Sequence, residues 1–401
     1  MPNKKQKDSE LQGVTRLLVD ATLEVTDLVE AMHRRIAHPP FLPSTPVQNL
    51  ITDIAGLAYK NVRWSTKLIG KGADKALGKL ASVMGNLKMT EEREVLRSVL
   101  NGLIGDHLEK TANPLKIDMQ FRKQGEFFQV DRKSIETAYP DVNGKILLMV
   151  HGSCMNDVQW KYKEHNHGEA LAEDIVATPV YLYYNTGRHI STNGQAMNLL
   201  LEELVKAWPV PVKELVIIGH SMGGLVTRSA LHYGQEQKIS WTKKLKKILF
   251  IGTPHHGASL EKTGNYVEVI LKAIPYAKPF ARLAKIRGAG VTDLRYGNLL
   301  DEDWQDMDQH TIQGDQRTPV PLPKKTACYS IAGVAGKATA SKTKQRLGDN
   351  LVGVKSALGR HKNPAKNLDF KEEHTFVAYE SSHAGLLGSQ EVYTQLKKWM
   401  L

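Results

Sequence analysis

Ser221 stands in the run Gly219-His220-Ser221-Met222-Gly223-Gly224, which satisfies the spacing Gly-x-Ser-x-Gly. That spacing suits a serine nucleophile on a tight strand-to-helix turn, because any side chain at the glycine positions would collide with neighbouring backbone. Such a turn lifts the hydroxyl to the start of a helix, whose dipole favours developing negative charge. A Gly-rich turn of this kind is also able to bind phosphate, but neither Gly-x-Gly-x-x-Gly nor Gly-Lys-Ser/Thr is present here.

Acyl transfer on Ser221 needs a base, an acid and donors for an oxyanion. Of the fifteen histidines, His383 follows the last expected strand and precedes the terminal helix, where a loop reaches back over the sheet. His374, at the opposite end of that strand, is the reserve. Asp349, in Leu347-Gly348-Asp349-Asn350-Leu351-Val352, follows the penultimate strand and is the candidate acid. Asp369 stays possible, although it immediately precedes the last strand, and Asp301, Asp303 and Asp308 fall in an expected cap. The resulting order Ser–Asp–His is that of α/β-hydrolases. Val150-His151-Gly152-Ser153 follows the first central strand, so the expected oxyanion donors are the backbone N–H groups of Ser153 and Met222. His151, Gly152, His255 and His256 are expected to line the substrate pocket, the last two alternatively as loop-stabilising residues.

From about residue 114 onward the chain resembles bacterial lipases and esterases of the α/β-hydrolase superfamily, especially the group similar to inositol deacylases of GPI anchors. Besides the serine turn, the resemblance rests on Val150-His151-Gly152, Tyr184-Asn185-Thr186-Gly187-Arg188-His189-Ile190-Ser191, Gly252-Thr253-Pro254-His255-His256-Gly257-Ala258 and Gly348-Asp349-Asn350-Leu351-Val352. It implies carboxyl-ester hydrolysis through an acyl-enzyme on Ser221, with no metal and no organic cofactor. Such families often carry Gly-Asp-Gly where this chain has Gly348-Asp349-Asn350, a departure that keeps the carboxylate. The resemblance gives no role to the residues before about 112.

The elements that must position these residues are legible from apolar patterning. Ile146–Val150, Val180–Tyr184, Leu215–Ile218 and Ile248–Ile251 are solid apolar runs, as in strands buried on both faces of a parallel sheet. Helical periodicity over Ala196–Ala207 and Gly224–His232 separates them, which points to a three-layer α/β fold with a mostly parallel sheet; the resemblance implies that it is the α/β-hydrolase fold. Leu115–Phe121 and Glu126–Val130 are expected to form an antiparallel pair leading the sheet, and Ala327–Ala332 and Thr375–Tyr379 the last two strands. A helix over Gln390–Leu401 closes the chain. The stretch 258–323 is too long for a plain loop and is expected to be a cap or lid insertion within a catalytic domain spanning 113–401.

Residues 1–112 read as a separate helical region with four amphipathic segments. The last follows Thr90 and carries Val95, Val99, Leu100, Leu103 and Ile104 on its apolar face. Packing onto the catalytic domain is the plain expectation, with peripheral membrane contact the rival. No signal peptide and no apolar stretch of membrane-spanning length is evident, so a soluble cytoplasmic protein is expected.

The chain has 401 residues, enough for a large core, and a formal net charge of +12. Its basic residues are scattered and aromatics make up 7%, so charge alone does not argue for nucleic acid. Lys337, Lys342, Lys344 and Arg346 form the densest basic cluster, read as a solvated loop. Two cysteines, Cys154 and Cys328, exclude a disulfide scaffold or a cysteine zinc site and are expected to be free thiols. The expected function is a serine carboxylic-ester hydrolase, an esterase or lipase, acting on a small-molecule or lipid ester. A thioesterase or acyltransferase would use the same residues. From another class, a catalytically silent lipid- or membrane-binding protein would have kept the fold without the chemistry.

Overall fold

The computed structural model describes residues 91–258, 288–305, 315–339 and 348–401. The chain divides into two compact units, Met1–Glu92 with Leu108–Lys116, and Arg93–His107 with Ile117–Leu401. The first three helical segments expected near the N-terminus, and Thr90 as a cap, lie outside the described residues. In the first unit, a turn closes where Asn113 donates its amide to the carbonyl of Leu108 at 2.8 Å.

The second unit is built on one sheet. Its strands are β1 (Gln120–Lys123), β2 (Glu126–Phe127), β3 (Lys145–Val150), β6 (Thr178–Tyr183), β7 (Glu214–His220), β8 (Leu245–Ile251), β9 (Ala327–Gly333) and β10 (Thr375–Ala378). A short hairpin, β4 (Lys161–Tyr162) with β5 (His165–Asn166), stands apart from it. The eight strands of the sheet lie in the order β10-β9-β8-β7-β3-β6-β1-β2. Pairing is parallel from β6 through β3, β7, β8 and β9 to β10. The apolar runs become the inner strands because both their faces are covered. β1 pairs antiparallel with β6 and with β2 at the edge. Alternation predicts that edge pair from Leu115; it starts at Gln120, since alternation alone places strand boundaries poorly.

Alternate residues of the inner strands serve opposite layers. Leu147, Met149, Val216, Ile218 and Leu249 join Leu171 and Leu396 in one buried cluster, so the helices His167–Ile175 and Gln390–Met400 cover this face. Lys397 ties these two helices by an ion pair with Asp174 at 2.7 Å. The helices Ile190–Ala207 and Met222–Glu236 pack together, with Gly194 close enough to Ser229 that a Cβ there would lie 2.2 Å from its Oγ. The helices that are expected from Ala196 and Gly224 begin earlier, at Ile190 and Met222.

The helix Glu91–Lys110 bears out the last N-terminal segment, with Val99, Leu100, Leu103 and Ile104 buried. Its residues Arg93–His107 group with the sheet. Asn185 donates its side-chain amide to the carbonyl of Gly105 at 2.9 Å, and a Cβ on Gly102 would lie 2.3 Å from the sulfur of Cys154. Small residues let this helix press onto the loops after β3 and β6, a role that the apolar pattern does not reveal. Both cysteines are free and buried. Of the expected cap, 288–305 and 315–323 are described; they include the helix Ala289–Tyr296. Among the described residues no helix is long and apolar enough to cross a membrane.

Candidate active site

Register brings the ends of three strands level. Val150 of β3 pairs with Gly219 of β7, and Gly219 with Phe250 of β8, so the loops that follow emerge side by side. The chain order reverses here, since β6 lies on one side of β3 and β7 on the other; in open parallel sheets such a point leaves a crevice beyond the strand ends.

Ser221 sits between β7 and the helix Met222–Glu236 with φ 53° and ψ −122°, a strained backbone for a residue with a side chain. Its amide donates to the carbonyl of Ile251 at 2.9 Å, which pins the turn to the neighbouring strand. The glycines are needed for close approach: a Cβ on Gly223 would lie 2.1 Å from the carbonyl oxygen of Val150, and one on Gly152 3.1 Å from the Cβ of Ser221.

His383, on the loop after β10, turns Nδ1 to Oδ2 of Asp349 at 2.7 Å. Its amide also donates to the carbonyl of Asp349, at 3.2 Å. The other oxygen of Asp349 accepts the amides of Leu351 and Val352, at 3.0 and 2.8 Å, so the carboxylate is held from both sides. With Nδ1–H donated to Asp349, the lone pair falls on Nε2 of His383. That nitrogen is buried and has no partner among the described residues. Asn350, next to Asp349, has φ 79°, a left-handed conformation that asparagine tolerates better than most residues. This explains how asparagine stands where related motifs carry glycine.

Ser221, His383 and Asp349 line one cavity of about 380 Å³ together with Gly152 and Ser153. Its apolar wall comes from Met155, Tyr162, Leu351 and Leu387. The amide of Met222 opens its helix and has no intrahelical acceptor. The amide of Ser153 has no acceptor among the described residues.

Three expected pocket residues are not at this cavity. His151 is fully buried, stacked on Tyr184 with ring centroids 4.5 Å apart, and turns Nδ1 to the carbonyl of Gly152. Burial holds its pKa down to about 4. His255 is buried against Phe250, and burial with the charge of Arg228 holds its pKa well below the usual range. His256 bonds the carbonyl of Gly359 through Nε2, and burial lowers it to about 4. The loops after β3 and β8 carry these rings inward, where they brace backbone. The reserve base His374 bonds the carbonyl of Cys328 instead. Asp369 accepts from Asn367, Asp301 from Gln195, and Asp303 from the amides of Leu299 and Leu300. Asp308 lies outside the described residues.

His220 escapes a reading of the sequence because it holds a variable place in the Gly-x-Ser-x-Gly spacing. It lines the cavity, and Nε2 bonds the carbonyl of His383 at 3.3 Å, linking β7 to the histidine loop. Burial, with His383 beside it, holds its pKa well below the usual histidine range. The hairpin residues Lys161, Tyr162 and Lys163 also reach the cavity, without any motif to announce them. No group of three metal-ligating side chains occurs among the described residues.

Residues 141–318 match the family model described as a PGAP1-like alpha/beta domain. No curated protein matches the chain. Among solved structures, the lipase of Bacillus licheniformis in its mature form is 16% identical, with TM-score 0.41, covering 63% of this chain and 91% of its own. An esterase of Pyrobaculum calidifontis is 10% identical with TM-score 0.39, over 78% of this chain and 93% of its own. An esterase of Pyrococcus furiosus is 16% identical with TM-score 0.37, over 65% and 83%. The chain has the sheet order and strand-to-helix serine turn of an α/β-hydrolase, and over residues 141–318 it is similar to the PGAP1-like alpha/beta domain family.

Proposed function

We propose that the protein is a serine hydrolase of carboxylic esters, with Ser221 as nucleophile, His383 as base and Asp349 as the acid that orients it. The observation that carries this reading is the pairing of His383 Nδ1 with Asp349 at 2.7 Å beside an unpartnered Nε2, in a cavity shared with Ser221. A buried histidine with one nitrogen committed to a carboxylate and the other free is set to accept a proton there.

In the proposed cycle His383 takes the Ser221 proton as the oxygen attacks the ester carbonyl. The oxyanion accepts from the amides of Ser153 and Met222, and Asp349 stabilises the imidazolium. The imidazolium then returns its proton to the leaving alcohol, leaving an acyl group on Ser221. Water, deprotonated by the same base, releases the acid. The apolar wall of Met155, Tyr162, Leu351 and Leu387 suits an acyl chain. No metal or organic cofactor enters any step.

A fluorophosphonate probe tests the assignment directly. It is expected to label the wild-type chain at Ser221 and to leave the Ser221→Ala variant unlabelled. A wild-type chain that resists the probe and fails to hydrolyse p-nitrophenyl esters of every acyl length would overturn it, in favour of a silent binding protein.

A further inference from the structure

A second cavity, of about 710 Å³, lies between the helix Met222–Glu236, β8 and the segment 320–326. Leu231, Ile248 and Phe250 give it an apolar wall. Its charged lining consists of Arg228 with Lys243, Lys246, Lys324 and Lys325; among the described residues no aspartate or glutamate lines it. The four lysines are exposed, whereas Arg228 is 6% exposed.

Arg228 is the unusual member. Its guanidinium donates to the carbonyl of Val320 and faces Nδ1 of His255 at 3.4 Å, and Nε has no partner among the described residues. Asp303 is the acid whose charge acts on it, but its oxygens already accept the amides of Leu299, Leu300 and Thr318. Burial, with Arg317 adding repulsion, pushes the Arg228 pKa down to about 9. Arginine holds its proton under almost all conditions, so this cost stays in the fold until an anion offsets it. Among the described residues the other buried arginine is treated differently: Arg122 pairs with Glu94 at 2.9 Å and Asp157 at 3.4 Å.

We propose that this second cavity binds an anionic amphiphile, a single acyl or alkyl chain with a carboxylate or phosphate head, seated with its head on Arg228. The unpartnered Nε–H of Arg228 is a charged donor for either oxyanion, the apolar wall takes the chain, and the exposed lysines draw the anion in. The site is separate from Ser221 and stands whether or not Ser221 is a nucleophile.

Calorimetric titration of the full chain with laurate and with dodecyl phosphate, below their micellar concentrations, tests it. At least one is expected to bind, and the tighter of the two names the head. Arg228→Met should weaken binding about tenfold or more. Two further changes keep the test open if that variant does not fold: Val320→Trp, which fills the cavity from the segment side, and the exposed pair Lys324→Glu with Lys325→Glu. Both should weaken binding, the lysine pair most at low salt. Thermal melts verify that each variant is folded. Failure of both amphiphiles to bind overturns the proposal. So does equal binding of dodecanol, equal binding of acetate or inorganic phosphate, or binding that every folded variant leaves unchanged.

Discussion

The helix Met222–Glu236 starts at one cavity, through its cap Ser221, and lines a second, and the two treat buried polar groups in opposite ways. At its start His383 is matched to Asp349, and the carboxylate is matched in turn to two amides, which leaves Nε2 of that histidine without a partner among the described residues. About two turns on, Arg228 is buried with no carboxylate on it. The first arrangement is closed around the carboxylate and open at the atom that would take a proton. The second is open at a whole charge. An orphan lone pair beside a held carboxylate fits a catalytic base, whereas a buried guanidinium with no carboxylate fits a ligand that brings its own charge.

The sharpest way to break the first half of this comparison is Ser221→Ala. Turnover of p-nitrophenyl butyrate is expected to fall on the order of 10⁴–10⁶-fold with the melting temperature little changed. Asp349→Asn is expected to cost about 10⁴-fold in kcat, because an amide no longer selects the tautomer that leaves Nε2 bare. Steady-state kinetics on the folded variant would show it, and a loss under tenfold would remove Asp349 from its assigned role.

The second half is sharpened by stability. Arg228→Met exchanges an unpaired buried charge for an apolar chain of similar reach, so the unfolding free energy should hold or rise, by up to about 2 kcal/mol. A large fall in urea denaturation would mean that the guanidinium is satisfied within the fold. Buried neutral histidines predict a pH effect of defined sign. The pKa values of His151 and His256 lie at about 4 in the folded protein, below the usual 6.5. The unfolded chain therefore binds more protons between these values, and stability is lost as pH falls from about 6.5 toward 4. Urea midpoints measured across that range should drop, and His151→Phe, which keeps a ring on Tyr184, should flatten the slope. The smallest effect is expected at Ser153→Ala. The proposed donor there is the backbone amide, so kcat should stay within about threefold of wild type.

Much of the fold was legible because a strand buried on both faces has little choice of residue. The runs at Ile146, Val180, Leu215 and Ile248 announced the inner sheet, and all four became parallel strands. The edge was harder. Leu115–Met119 alternates as a strand would, yet pairing begins at Gln120, because a half-exposed edge tolerates several starting points. The site divides along similar lines. Ser221 and Gly152 sit in motifs whose glycines are forced by close backbone approach, and Asp349 and His383 follow in chain order. His255 and His256 also sit in a motif, but whether a loop histidine points to the cavity or into the backbone depends on rotamers set by Phe250, Phe370 and Gly359. No local pattern encodes that choice.

By itself, then, the sequence determined the strand-to-helix serine turn, the layering and the order of serine, acid and histidine. These rest on local sterics and on apolar periodicity, which one stretch of chain contains in full. Only the tertiary structure decided that His220 and the hairpin Lys161–Asn166 reach the Ser221 cavity, that Arg93–His107 groups with the sheet, and that Arg228 lies buried without an acid. Each depends on which distant segments meet, and a single residue's type does not carry that information. Arg122 and Arg228 are the same residue, both buried. One found Glu94 and Asp157, and the other found a backbone carbonyl and a neutral histidine.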